Sequence, residues 1–131
     1  MTMLPVTLAA AAAAGVLNIW LALRINAARS AAGVYLGDGG NEAIQRRMRA
    51  QANYVEYTPF VLALIIGIEL SGKGSWWLGV VALVYFAGRI GHGFGMDGGA
   101  LLKGRFIGTI TTLLTLLGLS VAAALIMAGV L

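Results

Sequence analysis

The stretch AIQRRMRAQANYVEYTPFVLALIIGIEL, residues 43–70, decides the architecture. From Phe60 to Ile68 it holds no charged residue and reads as helix meant for lipid. Its first half carries Arg46, Arg47, Arg49 and Glu56, along with polar Gln45, Gln51 and Asn53. A spanning helix needs about 20 apolar residues. In lipid every backbone polar group has to be satisfied within the segment, which selects helix. This segment is long enough to cross a bilayer and to project beyond it on its charged side.

The rest of the chain has the same character. Of its 131 residues 60% are hydrophobic and 11% charged, and mean hydropathy is +0.88. Soluble domains carry about 25% charged residues. A chain of this length is one domain, with too much surface to hide so much apolar area from water. Three more spans follow, at residues 4–23, 76–94 and 105–130. The expected fold is an all-α, four-helix transmembrane bundle. The Ala-rich start resembles a secretion signal, but it has no basic leader and its apolar run is too long, so it is read as a retained helix.

Between the spans lie polar connections. Residues 24–45 form the longest, with a turn at Gly37-Asp38-Gly39-Gly40 and a helix start near Asn41-Glu42. Residues 71–75 make a short turn, next to Trp76 and Trp77 at the expected membrane interface. Residues 95–104 are a glycine-rich link containing Asp97 and Lys103. The basic residues on one side are Arg24, Arg29, Arg46, Arg47, Arg49, Arg89, Lys103 and Arg105, against Lys73 alone on the other. The positive-inside rule then puts the first and third connections in the cytoplasm and both termini away from it. This also accounts for the net charge of +4 without invoking nucleic acid.

Polar groups inside a membrane helix cost free energy, about 2.5–3.5 kcal/mol for Arg or Asp at its centre, and so point to function. Arg49, Asn53 and Glu56, at spacings of four and three, share one helix face. Gln45 and Tyr57 extend it, and Pro59 frees the Val55 carbonyl and favours a kink. Tyr85, Arg89 and His92 repeat the spacing on the third helix, Arg105 opens the fourth, and Arg24 and Arg29 follow the first. All lie toward the cytoplasmic side, where they could form one pocket.

Arginines with one carboxylate suit an anion that also bears an ammonium. Positive charge beside a thiol lowers its pKa. The chain has no cysteine, so any thiol arrives with a ligand. Glutathione has two carboxylates, one ammonium and one thiol and fits this set, although any small zwitterionic anion satisfies most of it. Plainer readings exist. Arg46 and Arg47 read as interfacial charges, Arg49 and Glu56 as an internal ion pair, His92 as a structural hydrogen-bonder, and Tyr57 and Tyr85 as packing. Gly91-x-x-x-Gly95 and Gly104-x-x-x-Gly108 read as close helix contacts.

The run Arg49-Ala50-Gln51-Ala52-Asn53-Tyr54-Val55-Glu56-Tyr57-Thr58-Pro59 resembles the signature of the MAPEG family, membrane-associated proteins in eicosanoid and glutathione metabolism. Every fixed position of the pattern Arg-Ala-Gln-x-Asn-x-x-Glu-Tyr-x-Pro is met, and the chain as a whole is similar to a short bacterial member. The resemblance implies a homotrimer in the inner membrane, glutathione as co-substrate between neighbouring subunits, no metal, and a lipophilic second substrate from the bilayer. Arg49, Asn53, Glu56 and Tyr57 match glutathione-contacting positions, and Gln51 matches one that reaches the neighbour's ligand. Arg24 or Arg29 matches a first-helix arginine that binds a glutathione carboxylate, and Arg89 matches a third-helix arginine. Two departures stand out. His92 and Met96 occupy places where the mammalian synthases have tyrosines. The thiol-activating arginine aligns one place away from Arg105, with Lys103 as a competitor. The activity implied is glutathione transfer or glutathione-dependent peroxide reduction, with Arg105 and His92 as catalytic residues. The alternatives are a non-catalytic lipid- or glutathione-binding scaffold of the same fold, and a small multidrug transporter. The last is disfavoured because residues 4–23 contain no acidic side chain.

Overall fold

The computed structural model describes residues 3–131, and these contain helices and no strands. The elements are α1 (Pro5–Ala32), α2 (Glu42–Leu70), α3 (Trp76–Gly95), a 3-10 turn (Gly99–Leu101) and α4 (Leu102–Met127). Four helices are long and apolar enough to cross a membrane.

The helix ends follow from local chemistry, and three differ from expectation. Residues 24–32, expected as connection, continue α1 for more than two turns. The stretch is rich in alanine, a strong helix former, and nothing in it stops the helix before Gly33. There the backbone turns left-handed (φ 66°) and its N–H returns to the carbonyls of Arg29 and Ser30. α4 starts at Leu102 rather than Arg105, fed by the 3-10 turn, and ends at Met127 rather than Val130, ahead of Gly129 at φ 71°. α2 begins where expected, with the Asn41 side chain accepting from the Ile44 N–H at 3.1 Å. It runs through Pro59 without a break.

α1 starts with proline at its first turn and no capping side chain of its own. Glu69, at the far end of α2, supplies the cap. Its two carboxylate oxygens accept from the N–H groups of Val6 (2.9 Å) and Thr7 (2.7 Å). This contact also sets α1 and α2 antiparallel. α1 packs on α2 and α3, α4 packs on α3 and α2, and α1 and α4 do not touch among the described residues. α2 and α4 therefore run parallel, each antiparallel to α3.

Inside, Leu17, Leu21, Val61, Ile65, Leu78 and Leu119 are buried with the rings of Tyr54, Tyr85 and Phe86. The two buried phenols are satisfied: Tyr54 donates to the Ala14 carbonyl (2.7 Å), and Tyr85 pairs with the Thr58 hydroxyl (2.9 Å). The outer surface is apolar, with Leu83, Phe106, Ile110, Leu114 and Leu117 all exposed, as suits lipid rather than water.

α3 and α4 approach most closely, because glycines line both sides of their seam. A Cβ on Gly104 would strike the Gly91 carbonyl, one on Gly95 would strike the backbone of Arg105, and one on Gly108 would sit 2.5 Å from the Gly88 carbonyl. The expected glycine contacts are thus present and run between α3 and α4. Gly104→Ala has to push two backbones apart and should cost roughly 1–3 kcal/mol. Gly118→Ala meets nothing within 4 Å and should be neutral or gain a few tenths of a kcal/mol from about 1 kcal/mol of helix propensity. Thermal unfolding of both variants in detergent checks this, and equal melting temperatures would contradict the packing.

Candidate functional site

The site grows from the outward face of α2. Arg49 and Glu56, seven residues apart on that face, approach to 3.8 Å with side chains 63% and 55% exposed. Glu56 is also about 21 Å from the Leu70 end of α2 at 1.5 Å per residue. This distance is well inside a hydrocarbon core about 30 Å thick. Arg49 is about 32 Å from the same end at 1.5 Å per residue, at the edge of that core, so the pair reaches from the apolar part of α2 to its charged end.

Asn53 sits between them, and its orientation is fixed from behind. Its Oδ1 accepts from Nη2 of Arg89 at 2.9 Å, which leaves the amide N–H groups free to donate elsewhere. Arg89 is only 2% exposed. Its Nη1 donates to the Thr112 hydroxyl at 3.1 Å, and its guanidinium lies 5.8 Å from the Tyr54 ring centre. Its Nε is buried without a partner, and Arg89 makes no ion pair among the described residues. Asn53, Tyr57, Arg89, Thr109, Thr112 and Leu113 enclose a recess of about 10 Å³, room for about one water. Thr109 donates to the Arg105 carbonyl one turn earlier, at 2.9 Å. Because α2 and α4 are parallel, Arg49 and Arg105 stand one turn beyond this recess, at the same end of an α2–α4 groove. Both are exposed.

The other expected residues lie elsewhere. His92 is buried at 3% exposure. It sits between α3 and α4 next to Gly108, and its Nδ1 has no partner, so it does not share the open groove with Arg105. Lys103 is about 200° from Arg105 on the helical wheel and lines a separate crevice with Gly91, Phe94 and Gly104. Gln51 faces α1 and donates to Asn18 Oδ1 at 3.2 Å. Arg24 is held by Asp97 and by the rings of Trp20 (4.9 Å) and Phe94 (4.8 Å). Arg29 donates from Nε to the Gly37 carbonyl at 2.9 Å, and its Nη2 lies 3.8 Å from Met48 Sδ. One protomer therefore presents two separate faces. Arg49, Asn53, Glu56, Tyr57 and Arg105 stand on one, backed by Arg89. Gln51, Arg24 and Arg29 belong to the α1 side, which never meets α4.

The sequence reading missed two residues. Asp97 organises the arginine-rich end. Besides Arg24 it takes Arg47 (Nε to Oδ1, 3.2 Å), and its carbonyl accepts from Arg46 at 3.2 Å. Arg46 and Arg47, read from sequence as interfacial charges, thus bind across helices. The available signal was that Asp97 is the one acidic residue in the third connection. Thr112, the second anchor of Arg89, was hidden in an apolar helix that also carries Thr109, Thr111 and Thr115.

Residues 7–125 match the MAPEG family. A segment of 62 residues is 36% identical to the inner membrane protein YecN of Escherichia coli strain K12, and equally to that of strain O6:H1. This segment covers 47% of this chain and 47% of each relative, so the match spans about half the length of these curated proteins. Since the family match extends across all four helices, the chain belongs to the MAPEG family.

Proposed function

We propose that this protein is a membrane-bound glutathione transferase or glutathione-dependent peroxidase that acts on lipophilic electrophiles or hydroperoxides. The observation that carries the reading is the exposed Arg49–Glu56 pair toward the charged end of α2, with Asn53 held donor-outward between the two. That set suits a ligand bearing both carboxylate and ammonium. Arg49 takes a carboxylate, Glu56 the ammonium, and the Asn53 amide a carbonyl or carboxylate oxygen of the peptide. Tyr57 closes the side of the groove next to Arg89.

In this proposal a neighbouring copy covers the face, consistent with a homotrimer, and brings its α1 side to the ligand. Of the two first-helix arginines, Arg29 is the better donor. It holds one carbonyl and one thioether, whereas Arg24 is neutralised by Asp97 and sandwiched by aromatic rings. Gln51 lies on that same side. The protein sits in the inner membrane, as the name of its relatives says of them. The excess of basic residues at these helix ends supports a site on the cytoplasmic side, with the termini on the other.

The chemistry follows from charge. Arg105 stabilises the glutathione thiolate, which attacks an electrophilic carbon and forms a thioether while the leaving group departs. The arginines and Glu56 keep the tripeptide in place. A second reading, a glutathione- or lipid-binding scaffold without turnover, draws support from the burial of His92. It leaves Arg105 as the one candidate for thiol activation on the open groove.

Calorimetry in detergent tests the binding face. Arg49→Ala and Glu56→Gln should each weaken glutathione by about tenfold or more, because a charge-assisted hydrogen bond is worth about 1.5–3 kcal/mol. Wild-type affinity in both variants would sink the assignment. Arg105→Ala should keep glutathione affinity while losing thiolate absorbance and roughly 100-fold in turnover, as expected when one charge-stabilising donor is removed. Conjugation of a generic electrophile at the wild-type rate would remove Arg105 from the mechanism. Wild-type protein that binds glutathione but neither conjugates nor reduces peroxides would favour the scaffold.

A further inference from the structure

The α3–α4 seam opens outward in two places, away from the α2–α4 groove. Near the start of α4 a crevice of about 520 Å³ lies among Gly91, Phe94, Ala100, Leu101 and Gly104, with Lys103 as its one charged residue. Farther along, a second crevice of about 450 Å³ is lined by residues such as Trp77, Val81, Val84, Leu114 and Gly118. The two lie on one stripe. On α3 it passes through Trp77, Val81, Val84, Gly88 and Gly91, and on α4 through Gly104, Gly108, Thr111, Thr115 and Gly118. Spacings of three and four keep each set on a single face. Thr111, seated over Gly88, forms a waist between the crevices. Its hydroxyl is turned back to the Ile107 carbonyl at 2.7 Å, so the waist is not a polar barrier.

From Gly104 to Gly118 the stripe is about 21 Å long at 1.5 Å per residue, enough to cover one leaflet of a hydrocarbon core about 30 Å thick. Two apolar crevices on one stripe, with a single cation at one end, match an anionic amphiphile. Lys103 makes no ion pair among the described residues. Each of the five acids has a partner elsewhere in the chain. Asp38 caps Gly40, Glu42 holds Arg46, Glu56 faces Arg49, Glu69 caps α1, and Asp97 holds Arg24 and Arg47. We propose that this seam binds an anionic phospholipid, with its phosphate on the Lys103 ammonium and one acyl chain lying from Gly91 toward Trp77. The site is independent of the glutathione reading, since it uses a different side of α4.

The test uses the full-length protein stripped of lipid in a neutral detergent. Phosphatidylglycerol and phosphatidylcholine with identical chains are titrated separately, and melting temperature and native mass spectrometry report binding. One lysine near the membrane surface is worth about 1 kcal/mol, so wild type should prefer phosphatidylglycerol by about fivefold. Lys103→Gln should abolish that preference while keeping the wild-type melting temperature without lipid. Gly118→Phe projects into the second crevice, where a Cβ meets nothing within 4 Å, and should weaken both lipids. Equal affinity of wild type for the two lipids, or a preference that survives Lys103→Gln, overturns the proposal. Glycerol phosphate raising the melting temperature as much as phosphatidylglycerol would show a free-phosphate site and overturn it too. So would a change in oligomer mass caused by Gly118→Phe, which would mark the seam as a contact between copies.

Discussion

A buried guanidinium ties three helices of this bundle together. Removing Arg89 from water costs several kcal/mol even after relaxation, and no carboxylate pairs with it among the described residues. The cost is met by neutral groups, the Asn53 carbonyl oxygen on α2 and the Thr112 hydroxyl on α4, with the Tyr54 ring alongside. One side chain of α3 thereby fixes the register of three helices. It also turns the donor end of Asn53 outward, so the character of the outer face is set by a residue that never reaches it. The glycine seam makes this possible, because only backbones in contact bring Thr112 close enough to be reached from α3.

Much of the fold was legible because lipid imposes coarse rules. Apolar runs of sufficient length gave four crossings, and glycines at four-residue spacing gave the close approach of α3 and α4. The extension of α1 was less legible. Arg24 and Arg29 suggest a solvent-exposed connection, yet on a helix projecting past the hydrocarbon core they are well placed to meet Asp97 and Gly37. Asp97 as a partner was hidden by distance in sequence, since its bonds to Arg24 and Arg47 span 73 and 50 residues.

The candidate site was legible as chemistry but not as geometry. Spacing put Arg49, Asn53 and Glu56 on one face, and they share it. Spacing alone put no bound on where Gln51, Arg24 and Arg29 point, because that depends on which helices pack together. With α1 and α4 on a diagonal, residues that looked convergent along the chain are divided between opposite sides. The same packing leaves Arg105 exposed and buries His92. A position three residues from Arg89 turns it into the α3–α4 contact, where Gly108 leaves just enough room for it.

The cap on α1 bears on how the chain enters the bilayer. Val6 and Thr7 find their carboxylate in Glu69, more than 60 residues later. When α1 emerges from the ribosome its first amides have no partner from the chain itself. The matching acceptor comes only as α2 completes its crossing and returns to the same surface. The first two helices therefore mature as a pair, and the first turn of α1 reaches its final setting only when the second crossing is finished.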